Sequence, residues 1–186
     1  ALRFFAGDLF SAYYQANLKN YWEKTKSPLT VPGQPAVAPP NPLDYGGVSF
    51  QVFHQGHLIG ETIQEFSSSF LKASDEHGAV LLGPNRFNWD AGDPPSYIIT
   101  VQSPLKGNSA VLRARLFFTP LTGGITDLPL SEFPSTHTWI LAAPLCHVEG
   151  TLQWCEPSGD VKKEMVFVSK GYHDHHFGSV PLGRFV

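Results

Sequence analysis

The stretch Tyr45-Gly46-Gly47-Val48-Ser49-Phe50-Gln51-Val52-Phe53 decides the fold class. Val48, Phe50 and Val52 fall on one face and Ser49 and Gln51 on the other, the period of a strand with one dry side. Gln55-Gly56 supplies turn residues, and 57–66 returns with a poorer alternation, as a hairpin partner does. Working outward, further strands are expected over 79–83, 96–102, 110–118, 137–143, 147–154, 164–169 and 172–177. Leu112, Ala114, Leu116 and Phe118 oppose Arg113 and Arg115, while Val148, Gly150, Leu152 and Trp154 oppose Glu149, Thr151 and Gln153, so each has one wet face. About nine short strands without a βαβ rhythm predict an all-β antiparallel barrel or sandwich. Its core should hold Val48, Phe50, Val52, Leu112, Leu116, Val148 and Leu152.

One helix is expected, over 11–24, with Ser11 as its N-cap. The Pro-rich 27–42 stretch reads as a long loop, because too little chain precedes it to form a domain, and residues 1–186 read as a single domain. The composition is 42% hydrophobic and 13% aromatic, with sixteen prolines and seventeen glycines, which suits strands and turns better than a helical bundle. A formal charge of −3 offers no basic stripe, so no nucleic-acid partner is expected. No apolar run of about 18 residues occurs, so the chain is expected to be soluble, cytoplasmic or peripheral to a membrane. It opens on Ala1-Leu2-Arg3 and closes on Arg184-Phe185-Val186, and the reading is that both ends were cut. Cys146 and Cys155 would lie roughly 30 Å apart on one extended segment and could not pair with each other.

Ionisable chemistry concentrates in Gly171-Tyr172-His173-Asp174-His175-His176-Phe177-Gly178. On a strand, Tyr172, Asp174 and His176 share one face and His173 and His175 the other. A His-x-His pair can offer two imidazoles to a metal, with His137 or His147 as a third, but nothing fixes that geometry and no metal is expected. Asp174 is the sharper candidate. A carboxyl among His, Tyr and aromatic strands can be desolvated until it holds a proton it can donate, although spacing alone favours an ordinary structural Asp, salt-bridged or hydrogen-bonded to a neighbouring His. His137-Thr138-Trp139 sets an imidazole and an indole on one face, a floor for an apolar, electron-rich ligand, or else plain core packing. Trp89-Asp90 reads as turn chemistry, and Glu61 and Glu65 as the solvated face of a hairpin. Nucleophile-elbow, phosphate-loop and dinucleotide motifs are missing from the sequence.

The 171–178 segment resembles the Gly-Tyr-His-Asp-His-Asn-Trp-Gly signature of the carotenoid 1,2-hydratase (hydroxyneurosporene synthase) family. Phe4-Phe5-Ala6-Gly7-Asp8-Leu9-Phe10-Ser11, Gly83-Pro84-Asn85-Arg86-Phe87-Asn88-Trp89, His137-Thr138-Trp139 and Pro144-Leu145-Cys146-His147-Val148-Glu149-Gly150-Thr151-Leu152 are similar to that family in the same order. The resemblance implies a lipocalin-like barrel, related to fungal Diels-Alderases, that is the N-terminal domain of a two-barrel protein whose C-terminal barrel is missing from this chain. An unpaired sheet edge or an exposed apolar patch is then expected where that barrel would dock. It implies an apolar small-molecule ligand, protonation of an isolated double bond, and no cofactor. The catalytic residues it implies are Asp174, Tyr172 and His137. Trp139, His173, His175, His176 and Phe177 would line the substrate. His176 stands where the signature has Asn, and Phe177 where it has Trp, adding a titratable neighbour to Asp174 and shrinking the apolar wall.

The leading expectation is a cofactor-independent hydratase or isomerase, a lyase of carotenoid biosynthesis, acting on a polyene or isoprenoid by general acid catalysis. A membrane-soluble substrate implies peripheral membrane association. A pericyclase that works by orienting its polyene, and a non-catalytic lipid- or pigment-binding protein, are the competing readings.

Overall fold

A computed structural model describes residues 1–7, 11–25, 38–74, 78–123 and 138–177. The elements run β1 (Leu2–Ala6), α1 (Ala12–Thr25), β2 (Tyr45–His54), β3 (His57–Ser67), β4 (Leu71–Ser74), β5 (Ala79–Leu82), β6 (Asn85–Asp90), β7 (Ser96–Pro104), β8 (Val111–Pro120), β9 (Thr138–Cys155) and β10 (Val161–Phe177). All pairings are antiparallel. A three-stranded sheet, β1-β2-β3, faces a seven-stranded sheet ordered β10-β9-β8-β7-β6-β5-β4. The all-β antiparallel expectation holds, in the form of two sheets rather than one closed barrel among the described residues.

The β2–β3 hairpin turns at Gln55 and Gly56, with φ of 50° and 80°. Two successive positive φ values give the turn a twist that matches its strands, and glycine carries the second at no steric cost.

Among the described residues ten strands form rather than about nine, and they differ from the expectation in an instructive way. The segments 137–143 and 147–154 merge into one 18-residue strand, β9. Pro144 lies where the β9–β10 register jumps between the pairs Gly171↔Cys146 and His173↔Ala143, so its missing N–H falls in a bulge instead of breaking the ladder. The segments 164–169 and 172–177 likewise merge into the 17-residue β10. β1 and β4, five and four residues long, went unread, and β6 was missed because Trp89-Asp90 reads as a turn.

All seven residues expected in the core are buried. Val48, Phe50 and Val52 of the small sheet meet Leu82, Ile99, Val101, Leu112, Ala114, Leu116 and Leu152 of the large one, together with Leu105 just past β7. Each fully buried Val, Leu, Ile or Phe contributes about 1.5–3 kcal/mol, so this layer dominates the stability of the fold. The sheets are also tied at one rim, where the Lys106 N–H donates to the Glu61 carbonyl at 2.8 Å and the Lys106 ammonium lies 3.1 Å from the Glu61 carboxylate. The Gln51 amide and then Lys106 hold the Glu61 carboxyl below its ordinary pKa.

Ser11 caps α1 as expected, its Oγ accepting from the Tyr14 N–H at 3.2 Å. Glu65 corrects the solvated-face reading. Its carboxylate accepts from Ser11 Oγ, the Ala12 N–H and the Tyr13 N–H at 3.1–3.2 Å, pinning the positive end of the helix to β3. No helix among the described residues is long and apolar enough to cross a membrane.

Candidate functional site

The histidine-rich segment forms the last part of β10, where the pairing with β9 shifts twice, between Gly171 and His173 and again between His173 and His175. Upstream of these shifts, and past a further one between Val161 and Lys163, β10 alternates over 165–168: Met165 and Phe167 pack on the core, while Val166 and Val168 are 72% and 68% exposed. Gly171 continues the inward row. A Cβ there would sit 2.8 Å from Val148 Cγ2 and 2.9 Å from Phe118 Cε1, so only glycine lets β10 lie this close to its neighbours' side chains.

The alternation then turns Tyr172 outward, 62% exposed, and His173 inward. The His173 ring lies 4.6 Å from Tyr97, edge on, and 5.1 Å from Phe87. Phe87 stacks on Tyr97 at 5.4 Å, and Trp89 contacts Tyr97 at 4.6 Å. Cross-strand register explains the grouping, since Trp89 pairs with Tyr97, Tyr97 with Phe118, and Phe118 with Val148 along one inward row. Trp89 therefore belongs to this aromatic layer and is more than turn chemistry.

Nδ1 of His173 is enclosed and has no hydrogen-bond partner among the described residues. Burial, and then the nearby His175, lower the His173 pKa, while Asp174 pulls weakly the other way. The imidazole is thus held neutral at physiological pH. The same apolar surroundings raise the pKa of Tyr97, with the neighbouring Cys146 adding to the shift, and raise that of the buried Cys146 thiol. Three polar groups, an imidazole, a phenol and a thiol, are all kept uncharged in one aromatic layer.

Asp174 is half-buried on the next position of β10, and His175 is exposed. Among the described residues no group of three or more His, Cys, Asp or Glu side chains could hold a metal ion. Cys146 and Cys155 are both buried and free. His137 lies outside the described residues, so the expected convergence of Tyr172, Asp174 and His137 does too. The backbone of Trp139 is described and lies directly opposite His176, with Thr138 opposite Phe177. The His-x-Trp segment and the histidine-rich segment are therefore adjacent strands at the same end of the large sheet. Tyr97, Phe87 and Cys146 were missed by sequence reading. The only signal was the inward parity of Tyr97 with Ile99 and Val101, which marks core as readily as site.

The fold and this site define an antiparallel two-sheet β domain with an aromatic layer and a carboxylate at the end of its longest strand pair. No family model matches the chain, and no solved structure matches it. Among curated proteins it is similar to the hydroxyneurosporene dehydrogenase of Chlorobaculum tepidum, at 28% identity over 182 residues, which cover 96% of this chain and 44% of that protein. The chain thus spans less than half the length of that relative, whose name is that of a dehydrogenase and not of a hydratase.

Proposed function

We propose that this chain is part of an enzyme acting on a carotenoid-like polyene, and that it protonates a double bond with Asp174 as the acid. The similarity to a protein named for hydroxyneurosporene supports the substrate class. The observation that carries the chemistry is the half-buried Asp174 beside a neutral His173 set in an aromatic layer. Aromatic faces stabilise the cation left on the substrate. Water then adds to that cation and returns a proton to the carboxylate, so no cofactor is consumed. Tyr172 and His137 would assist the transfer, with Trp139, His173, His175, His176 and Phe177 around the ligand. The remainder of the polypeptide would supply a second barrel, and a lipid-borne substrate would be met at a membrane surface.

The relative's name favours a second reading, dehydrogenation, which removes two hydrogens and needs an electron acceptor. Incubating the intact polypeptide with polyenes in D₂O separates the two. Acid-catalysed hydration installs deuterium at carbon, whereas dehydrogenation lengthens the conjugated system, shifts its absorption to the red and installs none. Asp174→Asn should abolish deuterium incorporation and leave ligand binding intact. Full turnover in that variant removes Asp174 from the mechanism.

A further inference from the structure

β10 is hydrogen-bonded on one side only among the described residues, by β9, and so presents a strand edge at the end of the seven-stranded sheet. Long free edges are templates for pairing, and proteins normally blunt them with charge, proline or a covering segment. Here the middle of the edge is the opposite of blunted. Val166 and Val168 stand outward and are more than two-thirds exposed, flanked on the same face by Glu164 on one side and Lys170 on the other.

We propose that this edge pairs with β10 of a second copy of the same chain, antiparallel about a two-fold axis at Phe167. Two sheets that continue one another without reversing their faces must set even-numbered residues opposite even-numbered ones, because opposed residues share a face. Centring on Val166 would place Glu164 against Val168, and centring on Ser169 would place Lys170 against Val168, each a charge against an apolar side chain. Centring on Met165 sets Glu164 against Val166, and centring on Val168 sets Lys170 against Val166. Centring on Phe167 alone joins Glu164 to Lys170 and Val166 to Val168, and the two-fold axis makes each pair twice. The charges and the exposed apolar pair are complementary to themselves in one register only. Glu164 is already oriented by Gln153, whose amide donates to its carboxylate at 2.6 Å on the same outer face.

The test residues Glu164 and Lys170 are not part of the proposed catalytic site, although the paired stretch runs on to Tyr172 and His173. The test is the oligomeric state of the intact polypeptide, by sedimentation equilibrium over a concentration series. The wild type should be a dimer. Lys170→Glu, which sets carboxylate against carboxylate twice, should weaken dimerisation at least tenfold, and Glu164→Lys should do the same. The double variant, Glu164→Lys with Lys170→Glu, restores the pairs in reverse and should recover the dimer, which also shows that the single variants fail at the interface and not in folding. A wild type that is monomeric throughout, as it would be if another part of the polypeptide covers this edge, overturns the proposal. So does a dimer indifferent to Lys170→Glu.

Discussion

His173→Phe separates what the imidazole costs the fold from what it does. The ring packs between Tyr97 and Phe87, and its Nδ1 is buried without a partner. An unsatisfied buried polar atom costs about 1–3 kcal/mol. Phenylalanine preserves the ring contacts and removes that nitrogen, at an overpacking cost near the low end of about 1–3 kcal/mol for its slightly larger ring. The variant should therefore be more stable than the wild type by about 1 kcal/mol at pH 8, a rise in Tm of roughly 2–4 °C for a chain this size. The difference should grow in acid. Burial holds the folded pKa of His173 below the ordinary imidazole value of about 6.5, so the unfolded chain takes up the proton first. That contribution to stability is complete above the unfolded pKa and is lost as pH falls from about 6.5 toward the lower folded value. His173→Phe lacks this loss. Thermal melts of both proteins between pH 8 and pH 5 measure it, with the remaining histidines common to both. A variant less stable than the wild type at pH 8, or a gap that stays constant with pH, would refute the assignment of a desolvated, unpartnered imidazole. A stabilised variant that loses turnover would show the histidine is kept for function at the expense of stability.

Tyr172→Phe removes an exposed hydroxyl, so it should leave the unfolding free energy within about 0.5 kcal/mol of wild type while lowering deuterium incorporation if the phenol assists Asp174. Gly171→Ala forces a methyl against Val148 and Phe118 and should cost about 1–3 kcal/mol in urea unfolding. Glu65→Ala strips three donors at the start of α1 of their acceptor and should cost about 1–2 kcal/mol, with helical signal lost from far-ultraviolet circular dichroism; Glu65→Gln, which keeps an acceptor, should cost less than half as much.

The alternation in β2, β8 and β9 determined by itself which side chains are dry, because period-2 burial is a local property of a strand. Val48, Phe50, Leu112 and Leu152 were legible for that reason, as was the Ser11 cap, whose partner is three residues away. The joining of two segments across Pro144 was not legible, because a proline is tolerated inside a strand only where a neighbour's register shift absorbs its missing donor. The histidine-rich segment was legible as the place where chemistry concentrates. Which of its faces is dry was not, since polar residues alternating with polar residues carry no signal of inside and outside. Only the stacking of β6, β7 and β8 beside β9 and β10 turns His173 toward Tyr97 and Phe87 and leaves Tyr172 in solvent. Glu65 makes the same point from another direction. Its carboxylate became a helix cap because a segment 52–54 residues earlier in the chain lies against it, a proximity that folding alone creates.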